Sequence, residues 1–174
     1  MLQPKIAELI NDQVNKELYS AYLYLDFANY YEDAGLPGFA HWYEVQAQEE
    51  RDHALAMRRY LIDCGHRVTF AAVDAPDKAY ADTAAPLQAG LEHERYVTSL
   101  ITAIYSEAFA QKDFRTMQFL DWFVKEQGEE EKNAEDLVKK MKLFGGDPKG
   151  LYLLDQELAA RVYSPSTPDA SAQA

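Results

Sequence analysis

Glu50 and His53 are the residues of this sequence whose spacing most directly suggests chemistry. They lie in the stretch VQAQEERDHALAM, residues 45–57, which has no Gly or Pro and is rich in helix-forming residues. Helical spacing puts them on the same face as Tyr43 and Met57. That face should be the buried one. The sequence therefore predicts a carboxylate and an imidazole among core side chains.

Polar residues interrupt the apolar stripe of each long helical segment in the same way. The interrupting residues are Glu17 in the first segment, Glu50 and His53 in the second, Glu94 in the third, and Gln127 and Glu130 in the fourth. All of them lie near mid-helix, and mid-helix positions meet at one level in an antiparallel bundle. The expected core therefore contains carboxylates from four helices, one imidazole and one amide.

Metal ions offer a way to bury these groups together. An isolated ionised carboxylate in an apolar core costs more free energy than the whole stability of a typical domain. Two divalent cations balance four carboxylates, and glutamate oxygens with one histidine suit iron or manganese. Taken singly, a Glu in a helical stripe is usually a boundary residue that reaches solvent, and an E-x-x-H pair is common by chance. The coincidence of four interruptions favours a site for two metal ions.

Helices must position these residues, because helical periodicity dominates and strand alternation is nearly absent. A proline in the first turn and glycines after the last turn mark several of the predicted ends. The third helix is expected to take Thr83 as its N-cap. The predicted helices cover residues 4–33, 37–64, 83–111, 113–144 and 147–163.

The lengths of the connections indicate the topology. Two connections are short, so the first and second helices form one antiparallel pair and the third and fourth form another. The middle connection is about twenty residues, which can return along a helix of roughly 40 Å and make the second and third helices parallel. The expected fold class is all-α, a ferritin-like four-helix bundle with one long crossover and a short fifth C-terminal helix.

Composition narrows the class of protein. The 174 residues suggest one domain over residues 1–163, and the Ser/Pro/Ala-rich tail 164–174 is expected to be disordered. The net charge of −12 and the lack of a basic run argue against nucleic-acid binding. No apolar run approaches a membrane span, and the N-terminus lacks a signal peptide's apolar core. The single Cys64 excludes an intrachain disulfide, so we expect a cytoplasmic location.

The sequence resembles the bacterial non-haem ferritins over nearly its whole length. The resemblance rests on the segments LINDQVNKELYSAYLY, QAQEERDH, WFVKEQGEEEKN and PKGLYLLDQEL. It implies a ferroxidase centre inside the subunit, in which Glu17 and His53 bind a first iron and Glu50 bridges. Glu94 and Glu130 would then bind a second iron.

The same resemblance implies further roles. Gln127 would form a hydrogen bond or lie near the oxygen-binding side of the centre, and Tyr24 would stand beside the centre. A third, inner iron position is implied by Glu49, Glu126 and Glu129, with Glu130 shared. The ordinary alternative for the first three is a solvated acidic face.

Several departures separate the chain from other relatives. Bacterioferritin-type centres carry a second E-x-x-H on the fourth helix, where this chain has Gln127-x-x-Glu130. Arg51 follows Glu50 where those proteins have a haem-ligating Met, so no haem is predicted there. The smaller DNA-protecting relatives lack the fifth helix and often carry a basic N-terminal arm, which this chain does not have.

The expected function is iron storage and detoxification. Fe(II) would be oxidised by dioxygen or peroxide, and the resemblance implies that the ferric product mineralises inside a hollow cage of twenty-four identical subunits. It also implies that the fifth helix buries its apolar stripe against symmetry-related subunits around a fourfold axis, with docking on its own bundle as the alternative. The stripe comprises Leu151, Leu154, Leu158 and Val162. One alternative is a di-iron peroxidase or oxygenase that acts on an external substrate. Another is a plain helical bundle with solvated carboxylates.

Overall fold

Five helices make up the part of the chain that the computed structural model describes, residues 2–168. They are α1 (Pro4–Asp33), α2 (Pro37–Asp63), α3 (Ala85–Ala110), α4 (Phe114–Phe144) and α5 (Pro148–Leu158). This range contains no strand, so the all-α prediction is confirmed. Within it, no helix combines the length and the apolar character that crossing a bilayer requires.

Side chains of α1 fix the long crossover, residues 64–84. The Asn11 amide nitrogen donates to the carbonyl of Thr69 at 2.9 Å, and its oxygen accepts from the N–H of Thr69 at 2.9 Å. At the other end of α1, the Tyr31 hydroxyl donates to the Thr83 carbonyl at 2.8 Å. The crossover therefore follows α1 from start to end. This path makes α3 antiparallel to α1 and parallel to α2, and confirms the predicted bundle.

The core of the bundle has two apolar clusters with a polar layer between them. Large buried side chains in the cluster nearest α5 include Phe27, Tyr31, Phe39 and Leu137. Those in the opposite cluster include Ile10, Met57, Ile101 and Leu120. On α1, Glu17 lies between Val14 of one cluster and Leu23 of the other. The interrupting residues of the other helices occupy the same interval, so the stripes are broken at one level.

The start of α3 differs from the prediction. Thr83 is not the N-cap, and the helix begins at Ala85. The carboxylate of Asp82 instead accepts from the backbone N–H groups of Ala84 at 2.9 Å and Ala85 at 3.0 Å. Both Asp and Thr can cap a helix start, but here the Asp82 side chain forms a local turn that satisfies two donors at once.

The apolar stripe of α5 is buried on its own bundle. Leu154 and Leu158 belong to the cluster that Phe39 also joins. The helix ends at Leu158, before the predicted residue 163, and Val162 is 84% exposed. The prediction that symmetry-related subunits bury this stripe is therefore wrong for Leu154 and Leu158. Of the tail predicted to be disordered, residues 169–174 lie outside the described part of the chain.

Asp155 anchors α5 to the start of α2. Its buried carboxylate accepts from the backbone N–H groups of Gly38 at 2.7 Å and Phe39 at 3.1 Å. The first N–H groups of a helix have no partner within the helix, so Asp155 caps α2 from a distant part of the chain. A Cβ at Gly38 would lie 1.8 Å from the Asp155 carbonyl oxygen, which explains the glycine.

Candidate metal centre

Glu17, Glu50 and His53 form the middle of the polar layer. Each is 1% exposed, and one ligand atom from each lies within 4.8 Å of the others. Glu17 comes from α1, while α2 supplies Glu50 and His53 three residues apart on one face. The Nδ1 atom of His53 is 3.4 Å from Glu50 Oε2. Gln13 donates to Glu17 Oε1 at 2.9 Å and orients that carboxylate.

Two buried polar atoms of this group have no hydrogen-bond partner among the described residues. They are Glu17 Oε2 and His53 Nε2. Unpartnered polar atoms are uncommon in protein interiors because each costs desolvation free energy. A cation bound between the side chains would compensate that cost. The donor set, carboxylate oxygens with one imidazole, fits iron in type.

Glu94 brings a third helix to the layer and has partners on two others. One carboxylate oxygen accepts a short hydrogen bond from the Tyr24 hydroxyl of α1. Its other oxygen accepts from the Gln127 amide of α4 at 3.2 Å. The Gln127 amide also lies 3.3 Å from the hydroxyl oxygen of Thr98. Glu94 is therefore held in one orientation by residues from α1 and α4.

Glu130 completes the layer from α4. Its Oε2 accepts from the amide of Gln46 on α2 at 2.6 Å. Glu94 and Glu130 line a cavity of about 20 Å³ together with Tyr24 and Gln46, which is room for about one water-sized molecule. An organic substrate of ordinary size would not fit in this space.

Burial and mutual repulsion raise the pKa values of these carboxyl groups. Burial is the main cause of the raised pKa of Glu17, and the charge of Glu50 adds to it. Burial and then the charges of Glu94 and Glu130 raise the pKa of Glu50 well above its ordinary value of 4.5. Burial, followed by Glu94, raises the pKa of Glu130 to about 8. Raised pKa values favour the protonated carboxyl groups when no cation is bound, and a divalent cation would displace those protons.

The residues predicted for a site with two ions all lie in this one layer. All are 5% exposed or less; they are Glu17, Tyr24, Glu50, His53, Glu94, Gln127 and Glu130. The three residues predicted for an inner position are not gathered in this way. Glu49 pairs with Arg161 at 2.5 Å, and Glu126 accepts from the Ser166 hydroxyl at 2.7 Å. Glu129 is 58% exposed and pairs with a lysine one turn earlier.

Other residues of the site were missed by reasoning from the sequence. Gln13 and Gln46 each precede a glutamate of the layer by four residues, so helical spacing could have identified them. Trp122 lies edge-on to His53, with ring centroids 5.5 Å apart. Arg161 bonds to Gln46 from beyond the end of α5, and no spacing in the sequence points to it.

Comparison with known proteins gives close relatives over most of the chain. A family model described as a ferritin-like domain matches residues 7–144. The probable bacterial non-heme ferritin-like protein of Haemophilus influenzae is 35% identical over 158 residues, which are 91% of this chain and 96% of the relative. The bacterial non-heme ferritin of Bacteroides fragilis is 37% identical over 161 residues, 92% of this chain and 100% of the relative.

Solved structures with the same fold include two forms of the ferritin from Archaeoglobus fulgidus. The open pore ferritin has a TM-score of 0.91 and 42% identity, and the match covers 93% of this chain and 100% of that one. A closed form engineered by site-directed mutagenesis has a TM-score of 0.92 and 41% identity, with coverage of 94% and 100%.

Proposed function

This chain belongs to the ferritin-like domain family, and from that premise we propose that it oxidises Fe(II) at the buried polar layer and stores the ferric product. Iron storage with ferroxidase activity is the general function of the family. We also propose which residues bind each ion and how the product is held. The observation that carries them is the group of Glu17, Glu50 and His53 with two buried atoms that lack partners.

Each residue of the layer has a role in this proposal. Glu17 and His53 bind the first Fe(II), Glu50 bridges the two ions, and Glu94 and Glu130 bind the second. These anionic oxygens favour the harder ferric ion and so make Fe(II) easier to oxidise. Tyr24 and Gln127 are positioning residues, because they hold Glu94 by hydrogen bonds.

The proposed reaction transfers two electrons from two Fe(II) ions to one molecule of oxidant. Each of two Fe(II) ions loses one electron, and dioxygen takes both electrons with two protons to become hydrogen peroxide. Peroxide as the oxidant would take two electrons and two protons to become two water molecules. The carboxyl groups lose their protons when the ions bind, and the layer is then fully anionic around two cations.

Replacement of the bridging residue tests the proposal. Glu50→Ala should abolish the fast rise of ferric absorbance when Fe(II) and dioxygen are mixed in a stopped-flow instrument. Circular dichroism should show that the helices remain. Glu92→Ala is the matched control, since Glu92 is an exposed residue of α3 outside the layer. Near-normal oxidation in the Glu50 variant would overturn its assignment.

Storage requires an assembly with an interior, and we propose a homo-oligomeric cage of twenty-four subunits in the cytoplasm. Support comes from the likeness to ferritins of known structure. The small cavity beside Glu94 and Glu130 argues against an oxidase of external organic substrates. Light scattering should give a mass near twenty-four times 19.8 kDa. Electron microscopy after iron loading should show dense cores, and a monomer or dimer without cores would overturn the storage role.

A third iron position is part of the same proposal. Glu49 and Glu126 lie on α2 and α4 next to Glu50 and Gln127, and Glu129 lies next to Glu130. This position would receive the ferric ion after its oxidation in the layer. The present partners of Glu49 and Glu126 would have to move first.

A further inference from the structure

The chain after α5 forms a strap along α2. The C-terminal strap, residues 159–168, contacts successive turns of that helix. The guanidinium of Arg161 lies 4.0 Å from the ring centre of Trp42. Nearly three turns further along α2, the Tyr163 hydroxyl donates to Asp52 at 2.5 Å. The strap then reaches α4, where Ser166 bonds to Glu126. A segment without regular structure is thus held on the bundle by side chains.

Arg161 makes the most central contacts of the strap. Its Nη1 donates to the side-chain oxygen of Gln46 at 2.5 Å, and its Nη2 donates to Glu49 Oε2 at 2.5 Å. The side chains of Arg161 and Glu49 are 15% and 12% exposed. An ion pair removed from water to this degree is costly to break on one side only, because the other charge is left unpaired.

The contacts of Arg161 continue into the metal centre. The side-chain oxygen of Gln46 accepts the hydrogen bond from Arg161. The side-chain nitrogen of the same amide donates to Glu130 at 2.6 Å. This arrangement fixes which end of the Gln46 amide faces Glu130, because the oxygen is already engaged by a donor. Arg161, Gln46 and Glu130 therefore form one chain of hydrogen bonds from the strap to a proposed iron ligand.

We propose that Arg161 is a positioning residue that holds Gln46 on Glu130, and that its guanidinium occupies the place beside Glu49 that a third cation needs. The proposal rests on the proposed function, because it takes Glu130 as an iron ligand. Arg161 already neutralises the Glu49 carboxylate through Oε2, and a divalent ion at the same carboxylate would meet the positive charge of the guanidinium. The ion should therefore bind more weakly while the strap holds Arg161 in place.

Two consequences follow from this competition. Loss of Arg161 leaves Glu49 buried without its cation, so a divalent ion should bind at a concentration where the intact chain excludes it. Loss of Arg161 also frees the Gln46 amide to rotate, so Glu130 is less well oriented. Changes in groups that orient metal ligands typically cost about 10–100-fold in affinity or activity.

Variants of Arg161 test both consequences. Zn(II), which is not oxidised, is titrated by equilibrium dialysis into the full-length protein and the variants Arg161→Ala, Arg161→Lys and Arg51→Ala. We expect one additional Zn(II) per subunit in the alanine variant and a first oxidation phase slowed roughly tenfold. The lysine variant keeps a charge but loses the planar fork, so it should exclude the third ion and still oxidise slowly. Arg51 is exposed on α2 and serves as the matched control.

The outcomes separate this proposal from the proposed function. Equal Zn(II) counts and equal first-phase rates in Arg161→Ala and the unaltered chain would overturn the role of Arg161. An additional ion that persists in the double variant with Glu49→Gln would also overturn it, since the ion would then bind elsewhere. If Arg161→Ala does not fold, the lysine variant decides, and an unaltered oxidation rate there contradicts the proposal. Failure of the proposed function would appear instead as unchanged Zn(II) binding in Glu50→Ala.

Discussion

The Tyr24 hydroxyl of α1 donates a hydrogen bond to the Glu94 carboxylate of α3 across the centre of the bundle. Burial is the main cause that raises the pKa of Tyr24 well above its ordinary value of 10, with Glu94 adding to it. The phenol therefore stays protonated at neutral pH and acts as a donor. This one contact ties an aromatic core residue to a proposed ligand of the second iron.

Removal of that hydroxyl should slow oxidation without changing the fold. Tyr24→Phe keeps the ring packed but leaves one Glu94 oxygen without its donor. We expect a loss of roughly tenfold in the first oxidation phase, measured by stopped-flow absorbance. Tyr22→Phe is the control, because Tyr22 is 51% exposed on the same helix. Equal rates for the two variants would show that the Tyr24 hydroxyl does not position Glu94.

The metal-free protein should lose stability as pH rises through the titration range of the layer. The pKa values of Glu17, Glu50 and Glu130 are raised in the folded state above the ordinary 4.5, to about 8 for Glu130. Between pH 4.5 and about pH 8, the folded state therefore binds more protons than the unfolded state. The protonated carboxyl groups contribute fully to stability below pH 4.5, and this contribution is lost as the pH rises towards 8.

Chemical denaturation of the metal-free chain at several pH values measures this effect. The free energy of unfolding should fall from about pH 5 to about pH 8, and Zn(II) should restore it at the upper end. Glu130→Gln removes one titrating group and should flatten the decrease. A metal-free protein that becomes more stable over the same range would contradict the assignment of raised pKa values.

The inner acidic residues should matter after the first turnover rather than during it. In the double variant Glu126→Ala with Glu129→Ala, the first oxidation phase should keep its rate, because neither residue belongs to the buried layer. The ratio of iron oxidised to oxygen consumed should change over repeated additions of Fe(II), which an oxygen electrode measures. Glu135→Ala provides an acidic control on the same helix, since Glu135 is half-buried outside the layer and pairs with Arg95. An unchanged ratio would mean that Glu126 and Glu129 are only solvated.

Asp155 should contribute to stability as a cap rather than to the chemistry. Asp155→Ala leaves the N–H groups of Gly38 and Phe39 without their acceptor, which costs about 2 kcal/mol. For a chain of this size the melting temperature should fall by about 4–8 °C. Asp155→Asn keeps an acceptor oxygen and should lose less. A melting temperature that does not change in the alanine variant would show that α5 is not held at this point.

Two truncations separate the effect of Arg161 from that of the residues after Tyr163. A chain that ends at Tyr163 keeps Arg161 and should assemble, bind Zn(II) and oxidise iron at the rates of the full chain. A chain that ends at Ala160 loses Arg161 and should show the additional Zn(II) and the slower first phase. Ultracentrifugation checks that both chains assemble. Equal Zn(II) binding and equal oxidation rates in the two chains would show that Arg161 is not responsible for either effect.

Helical periodicity was sufficient to predict the helices and the carboxylates that break their apolar stripes. Glu17, Glu50 and Glu94 stand out because each breaks an apolar stripe, and this signal needs only the order of residues along one helix. The length of the crossover predicted that α2 and α3 are parallel, since a chain of that length can span a helix. Periodicity did not identify the residue that satisfies the first N–H groups of α3, because Asp82 and Thr83 are adjacent and both residue types can cap a helix start.

The partners of the layer depend on the tertiary structure. The sequence determined that α5 has an apolar face, but only the packing decided that this face covers its own bundle, where Asp155 meets the free N–H groups of α2. The sequence could not predict the contact between Gln46 and Arg161, because these residues are 115 positions apart and Arg161 follows the last helix. Periodicity specifies which side of a helix is buried. What that side contacts is decided by how separate helices and an irregular segment come together, because such contacts depend on distance in space rather than on spacing along the chain.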